Sequence, residues 1–215
     1  MATTYKLTYF NLRARAEPTR LVFAYAGVDY EDIRISFDNQ ADWLPLKNSG
    51  KCPFGQIPLL EVEGVTLSQS MTILRFVAKR HGLMPSTDLQ QALADMFSEG
   101  VYDLENEIVR AVVCTNPEEQ KALMEKFEKE SLPKACKYLE KFLEKNPKDE
   151  VYCVGNKLSF ADICFFAFFN SYIAKGKPEV PDVLKGLPRL TALYKKVRDE
   201  PKLQAWLEKR PQTSL

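Results

Sequence analysis

One stretch narrows what this chain can fold into more than any other: Phe54 to Ser70, Phe-Gly-Gln-Ile-Pro-Leu-Leu-Glu-Val-Glu-Gly-Val-Thr-Leu-Ser-Gln-Ser. It reads as strand, turn, strand and helix start. Residues 57–62 are rich in β-formers, Glu63 and Gly64 fit a two-residue hairpin turn, and residues 65–67 return as a second strand. Met71, Leu74, Val77 and Ala78 follow at helical spacing, with Ser68 or Gln69 placed to cap. Pro58 falls at the first residue of a strand, where its missing N–H does least harm, and an X-Pro bond in a tight turn is where a cis peptide occurs. Such a turn leaves the Ile57 N–H and C=O outside the sheet ladder and open to an extended ligand. The helix start at Gln69 and Ser70 offers unpaired N–H groups and the positive end of a dipole to a carboxylate. Together these features favour a small, peptide-like, anionic ligand. The same residues also suit an ordinary hairpin packed under a helix.

Upstream, Tyr5 to Tyr9 alternates as a strand and ends in the polar loop Phe10-Asn11-Leu12-Arg13. Residues 14–26 read as a helix burying Leu21, Val22 and Tyr25, provided Pro18 lies in its first turn. Gly27 ends it, and residues 30–35 form a second strand, expected to run parallel to the first. An irregular polar segment around Trp43 and Lys47 leads into the hairpin. The order β-α-β-α-β-β-α over the first 82 residues is the thioredoxin-like arrangement.

Residues 83–88, following Gly82 and containing Pro85 and Ser86, read as a linker to a second, all-α domain over 89–215. Phe97, Val101, Leu104 and Ile108 mark one helix there. Leu123 and Phe127 through Leu139, Phe142 and Leu143 mark another, long or broken near Pro133. Pairs such as Glu125 with Lys129 suit a solvated face. Residues 160–169 are apolar all round and should form a buried central helix behind the capping-box-like Ser159 and Asp162. Residues 188–197 and 202–207 read as two further short helices.

With a net charge of +1 on 215 residues, the chain has no electrostatic footprint for nucleic acid or an acidic membrane. No ~20-residue apolar span and no signal-peptide pattern is present. Five scattered cysteines fit a reducing, cytoplasmic setting better than a disulfide framework. The single histidine, His81, excludes a His-rich metal site and reads as a capping residue before Gly82. No Cys-x-x-Cys pair occurs, and Gln56 and Ile57 stand where a phosphate-binding loop needs Lys and Ser or Thr. Cys52, in a loop near the proposed site, is either a reactive thiol or an incidental one.

The segments Tyr5 to Glu17, Gln40 to Trp43, Pro53 to Pro58, Gln69-Ser70 and Arg210 to Leu215, together with Gly155 to Asp162, closely resemble cytosolic glutathione transferases of the sigma class. That class includes glutathione-dependent prostaglandin D synthases. The resemblance runs essentially end to end. It implies an α/β thioredoxin-like N-terminal domain, an all-α C-terminal domain, a homodimer, and glutathione as co-substrate with no required metal. By the family's pattern Tyr9 faces the sulfur of glutathione and Arg15 tunes that site. Trp43 and Lys47 hold the glycyl end, and Gly55 and Gln56 lead into Ile57, which pairs with the cysteinyl backbone before cis Pro58. Gln69 and Ser70 take the γ-glutamyl carboxylate. Asp103 reaches the γ-glutamyl amine of the neighbouring subunit, although other members often carry an Asp where this chain has Tyr102.

The pocket for an apolar electrophile is expected among Phe10, Arg15, Tyr102, Glu107, Arg110 and Leu215. The implied activity is conjugation of the glutathione thiolate to electrophiles. Prostaglandin H to D isomerisation ranks second, because Glu107 and Arg110 make that wall polar. Two other readings stay open: a non-catalytic, crystallin-like relative, and a thiol oxidoreductase built on Cys52.

Overall fold

A computed structural model describes residues 3–37 and 40–213 of the chain. Its sheet is built around the first strand, β1 (Tyr5–Phe10), which pairs in parallel with β2 (Glu31–Ile35), Thr8 opposite Ile33. Parallel neighbours need a crossover, supplied by α1 (Glu17–Ala26). The expected helix over 14–26 opens with a separate tight turn, Ala14–Ala16, so Pro18 falls in the first turn of α1, where a missing N–H costs nothing. Gly27 ends it in the left-handed region at φ 67°, its N–H closing on the Ala24 and Phe23 carbonyls.

The segment around Trp43 and Lys47, read as irregular, is the helix α2 (Gln40–Asn48). Pro45 inside it and the lack of a buried apolar stripe both hide it from a periodicity argument. The hairpin lies where expected: β3 (Leu59–Val62) runs antiparallel to β1, Leu60 opposite Leu7, and β4 (Val65–Ser68) completes the order β2-β1-β3-β4. Glu63 and Gly64 both take positive φ, 52° and 78°, the two-residue turn whose twist matches the strands. Next, α3 (Ser70–Arg80) packs on α1, and its Ile73, Leu74, Val77 and Ala78, like Leu21, Val22 and Phe23 of α1, are essentially fully buried. Each of the larger side chains contributes roughly 1.5–3 kcal/mol.

Residues Pro85–Asp199 form a second compact unit. Its helices are α4 (Asp88–Val112), α5 (Pro117–Lys126), α6 (Leu132–Leu143), α7 (Phe160–Phe168) and α8 (Pro188–Arg198). The helix read as long or broken near Pro133 runs on through a wider turn, Phe127–Ser131, which skips a hydrogen-bond register just before the proline that has no N–H to give. Every residue of α7 is buried, with Phe165 against Phe97 of α4 at 5.9 Å between ring centroids. The capping box forms as read: the Asp162 carboxylate accepts from the Ser159 N–H at 2.8 Å, the Ser159 hydroxyl at 2.7 Å and the Cys153 N–H at 2.7 Å.

The end of the chain departs from the expected division. Helix α9 (Pro201–Lys209) follows the helical domain in sequence, yet residues from Glu200 onward group with the sheet-bearing unit and α9 packs on α1. The reason is a buried carboxylate: Glu17 accepts from Trp206 Nε1 at 2.9 Å and Arg210 Nη1 at 2.7 Å.

Candidate functional site

Tyr9 sits one residue from the end of β1, opposite Arg34 of β2, with 7% of its surface exposed. Its ring meets that of Phe10 edge-on at 5.7 Å, and Phe10 in turn meets Phe37 at 5.2 Å and Trp43 at 5.7 Å. This aromatic chain joins the end of β1 to α2. Past it the backbone turns sharply, with Leu12 N–H donating to the Phe10 carbonyl at 2.7 Å and Ala14 forced to φ 34°. A non-glycine residue there is strained by about 1–3 kcal/mol, and such strain persists where the surroundings over-determine it. Arg15 follows directly and is half-buried.

On α2 the Trp43 side chain is half-buried and Lys47 is exposed. The Lys47 stem lies alongside the next loop, its Cε 3.9 Å from where a Cβ on Gly55 would stand, and Gly55 closes its own turn through N–H to the Cys52 carbonyl at 2.9 Å. Gln56 is exposed, Ile57 is half-buried, and the Ile57-Pro58 bond is cis. Because β3 begins at Leu59, Ile57 lies outside the ladder. Gln69 precedes α3 at φ 73°, is exposed, and makes no side-chain capping bond, while Ser70 is 7% exposed. The expected capping by Ser68 or Gln69 is thus replaced by a second strained non-glycine backbone, at a helix start suited to an anion.

These residues all belong to the sheet-bearing unit. In the helical unit, Asp103, Glu107 and Arg110 fall at i, i+4 and i+7 along α4, with Tyr102 one position round. Asp103 and Arg110 are exposed, and Tyr102 and Glu107 half-buried. Glu107 accepts a 2.5 Å bond from the Ser131 hydroxyl, and with Asp103 it lines an open groove of about 360 Å³ shared with Lys134 and Tyr138 of α6. Those α6 residues escaped the sequence reading, since only the fold brings them beside α4. Leu215 lies outside the described residues.

The remaining reactive groups have structural surroundings. Cys52 is 8% exposed, burial pushes its thiol above the usual range, and its Sγ lies 3.6 Å from the Leu46 carbonyl. A protonated, buried thiol is a poor nucleophile, which removes the support for an oxidoreductase built on it. His81 caps α3 and shares a 3.2 Å hydrogen bond with the Tyr5 hydroxyl. Among the described residues no group of three His, Cys, Asp or Glu side chains is arranged to hold a metal ion, and no helix is long and apolar enough to cross a membrane. Sequence reasoning also missed the buried Arg13, Glu17 and Arg210, because partners nearly the length of the chain apart leave no local signal.

Comparison with known proteins agrees with this architecture. Residues 5–79 match the family described as glutathione S-transferase, N-terminal domain, and residues 102–210 match glutathione S-transferase, C-terminal domain. The chain is 38% identical over 211 residues to hematopoietic prostaglandin D synthase of Rattus norvegicus, covering 98% of each. It is 33% identical to glutathione S-transferase 1 of Ascaris suum, covering 97% of this chain and 98% of that one. Among solved structures, rat hematopoietic prostaglandin D synthase complexed with a quinoline superimposes with a TM-score of 0.85 at 36% identity, over 99% of this chain and 100% of that one. A Caenorhabditis elegans glutathione transferase gives 0.85 at 32% identity over the whole of both chains.

Proposed function

This chain belongs to the glutathione S-transferase family, and from that premise we propose that it is a sigma-class enzyme that binds reduced glutathione, stabilises its thiolate through Tyr9, and adds the sulfur to apolar electrophiles. The observation that carries the reading is the placement of Tyr9: a phenol at a strand end, nearly buried, in the same unit as the cis Ile57-Pro58 edge and the α3 start without a side-chain cap.

The energetics are of the right size. A free thiol titrates near ~8.5, and holding it mostly as thiolate at neutral pH needs a shift of about 1.5–2 units, or roughly 2–3 kcal/mol. One hydrogen bond to a charged acceptor contributes about 1.5–3 kcal/mol. A phenol with its pKa near ~10 keeps its proton and donates it. In this reading Tyr9 donates to the sulfur, Arg15 adds positive charge, and the thiolate forms the new S–C bond as the electrophile's leaving group departs or its double bond takes up a proton.

The tripeptide is held along its length. Trp43 and Lys47 take the glycyl carboxylate, with Gly55 and Gln56 shaping the approach. The Ile57 main chain pairs with the cysteinyl backbone, and Gln69 with Ser70 takes the γ-glutamyl carboxylate at the positive end of α3. Asp103 serves the γ-glutamyl amine of a second copy in a homodimer. Phe10, Arg15, Tyr102, Glu107, Arg110 and Leu215 are assigned to the electrophile, and the enzyme is placed in the cytoplasm.

A second reading, prostaglandin H to D isomerisation, is favoured by the 38% identity to the rat synthase and disfavoured by the polar Glu107 and Arg110. One assay separates the readings: turnover of a panel of aryl halides, enals and prostaglandin H by the purified chain after capture on immobilised glutathione. Conjugation across the panel supports the proposal. Turnover confined to prostaglandin H supports the second reading. Capture without any turnover supports a non-catalytic binder and overturns both.

A further inference from the structure

Arg13 is a large cation with 2% of its surface exposed, on the loop that carries Arg15. Its Nη1 donates to the Thr213 carbonyl at 2.7 Å and approaches the Thr213 hydroxyl at 3.3 Å, across 200 residues of sequence. Its Nε and Nη2 find no hydrogen-bond partner among the described residues. A buried guanidinium that spends its directed bonds on one residue of the chain's tail is costly to keep, unless holding that tail has a use.

The rest of the loop is pinned as firmly. Arg20, fully buried, donates to the Leu12 carbonyl at 2.6 Å and pairs with Asp32 at 3.2 Å. Glu17 binds Arg210 and Trp206, so the tail is anchored at two points, once through α9 and once through Thr213. Between Arg13 and Arg15 stands only Ala14, strained at φ 34°, with Arg13 fully enclosed on one side of it and Arg15 half-buried on the other.

We propose that Arg13 is a positioning residue that latches the tail onto the loop between β1 and α1, so that the tail sets the placement of Arg15 and the choice of electrophile. This rests on the function proposed above. The groups assigned to the tripeptide lie on α2, the loop before β3 and the start of α3, whereas the latch joins the tail to the loop behind Tyr9. The latch therefore bears on Arg15, which serves both the thiolate and the electrophile, and leaves the groups assigned to the two ends of the tripeptide untouched.

The test uses Arg13→Met, which keeps the apolar stem and removes the donors, Arg13→Lys, which restores one donor, and Thr213→Val, which removes only the hydroxyl contact. Hydrogen exchange of the Gln212 and Thr213 amides reports the latch without reference to catalysis. Loss of one charge-assisted bond should speed it by about tenfold in Arg13→Met, less in Arg13→Lys, and least in Thr213→Val. In steady-state kinetics, Arg13→Met should change kcat/KM for bulky relative to small electrophiles by about fivefold or more, with KM for glutathione within about twofold and partial rescue in Arg13→Lys. Unchanged exchange would show that no latch exists. Faster exchange with an unchanged electrophile ratio, or with both substrates weakened equally, would make Arg13 purely structural and overturn the proposal. If the wild-type chain turns over nothing, the function reading fails, while the exchange arm still decides the latch.

Discussion

Replacing Glu17 with Gln isolates the charge at the heart of the contact between α1 and α9. Glu17 is fully buried, bonded to Trp206 at 2.9 Å and Arg210 at 2.7 Å, with Arg20 Nη1 at 3.6 Å. Burial alone would push its carboxyl up, but the Arg210 and Arg20 charges and the bonds from Trp206 and Arg210 overcome that and hold it below the usual range. Gln keeps the shape and one acceptor oxygen, so the Trp206 bond survives while the buried Arg210 loses its counter-charge and Arg20 is left with Asp32 alone. Breaking a buried pair in this way costs about 3–5 kcal/mol, and the retained acceptor favours the lower end. For a chain of this length about 3 kcal/mol corresponds to a fall in Tm of roughly 6–12 °C.

The pH dependence has a definite sign. A carboxyl whose folded pKa is depressed contributes stability that is present above its unfolded value, near ~4.3, and is lost as pH falls through the lower folded one. The Tm gap between wild type and Glu17→Gln, measured by calorimetry, should be full at pH 6–7 and narrow steadily below about pH 4. Adding Arg210→Met to Glu17→Gln should cost less than the sum of the two single changes, because the second removes a charge the first left stranded. An equal Tm at neutral pH, or a gap that does not shrink in acid, would refute the assignment of Glu17 as the charged anchor of the tail.

Three further outcomes follow from the same geometry. Gln69→Gly relieves the positive φ of 73° but removes a side chain assigned to the γ-glutamyl carboxylate, so Tm should stay within about 2 °C while KM for glutathione rises by about tenfold. Cys52→Ser should leave conjugation within about twofold, and native Cys52 should react slowly with iodoacetamide until the chain is unfolded, because burial keeps its thiol protonated. His81 has its pKa lowered by burial and then by Arg80, so the folded chain binds fewer protons there than the unfolded one. Stability should fall as pH drops below ~6.5, and this loss should be smaller in His81→Gln, as followed by urea titrations at pH 5 and 7.

Local signals carried most of the fold. The Glu63-Gly64 turn, the Pro18 helix start, the Ser159 and Asp162 capping box and the apolar run of α7 each follow from chemistry within a few residues of sequence, and each lies where that chemistry puts it. Helix α2 fills a place in the β-α-β-α-β-β-α order but has no periodic signal of its own, because it buries no stripe and contains Pro45. The homing of α9 to α1 was illegible for another reason: Glu17 and Arg210 are ordinary surface residues by composition, and only the fold makes them partners. The candidate site divides the same way. Ile57, Gln69 and Ser70 stand out from an X-Pro turn and a helix start, whereas Tyr9 enters through the family resemblance. The grip of Arg13 on Thr213 and the groove that Asp103 and Glu107 share with Lys134 and Tyr138 depend on packing between distant segments.

The most direct test is to titrate the thiol of bound glutathione by its ultraviolet thiolate absorbance in the wild-type chain and in Tyr9→Phe. A donated phenol proton predicts a wild-type pKa about 1.5–2 units below that of the free thiol, returning most of the way to ~8.5 in Tyr9→Phe, with conjugation slowed by about tenfold or more and glutathione affinity little changed. An equally low pKa in both chains would contradict it and show that the thiolate is held by something other than Tyr9.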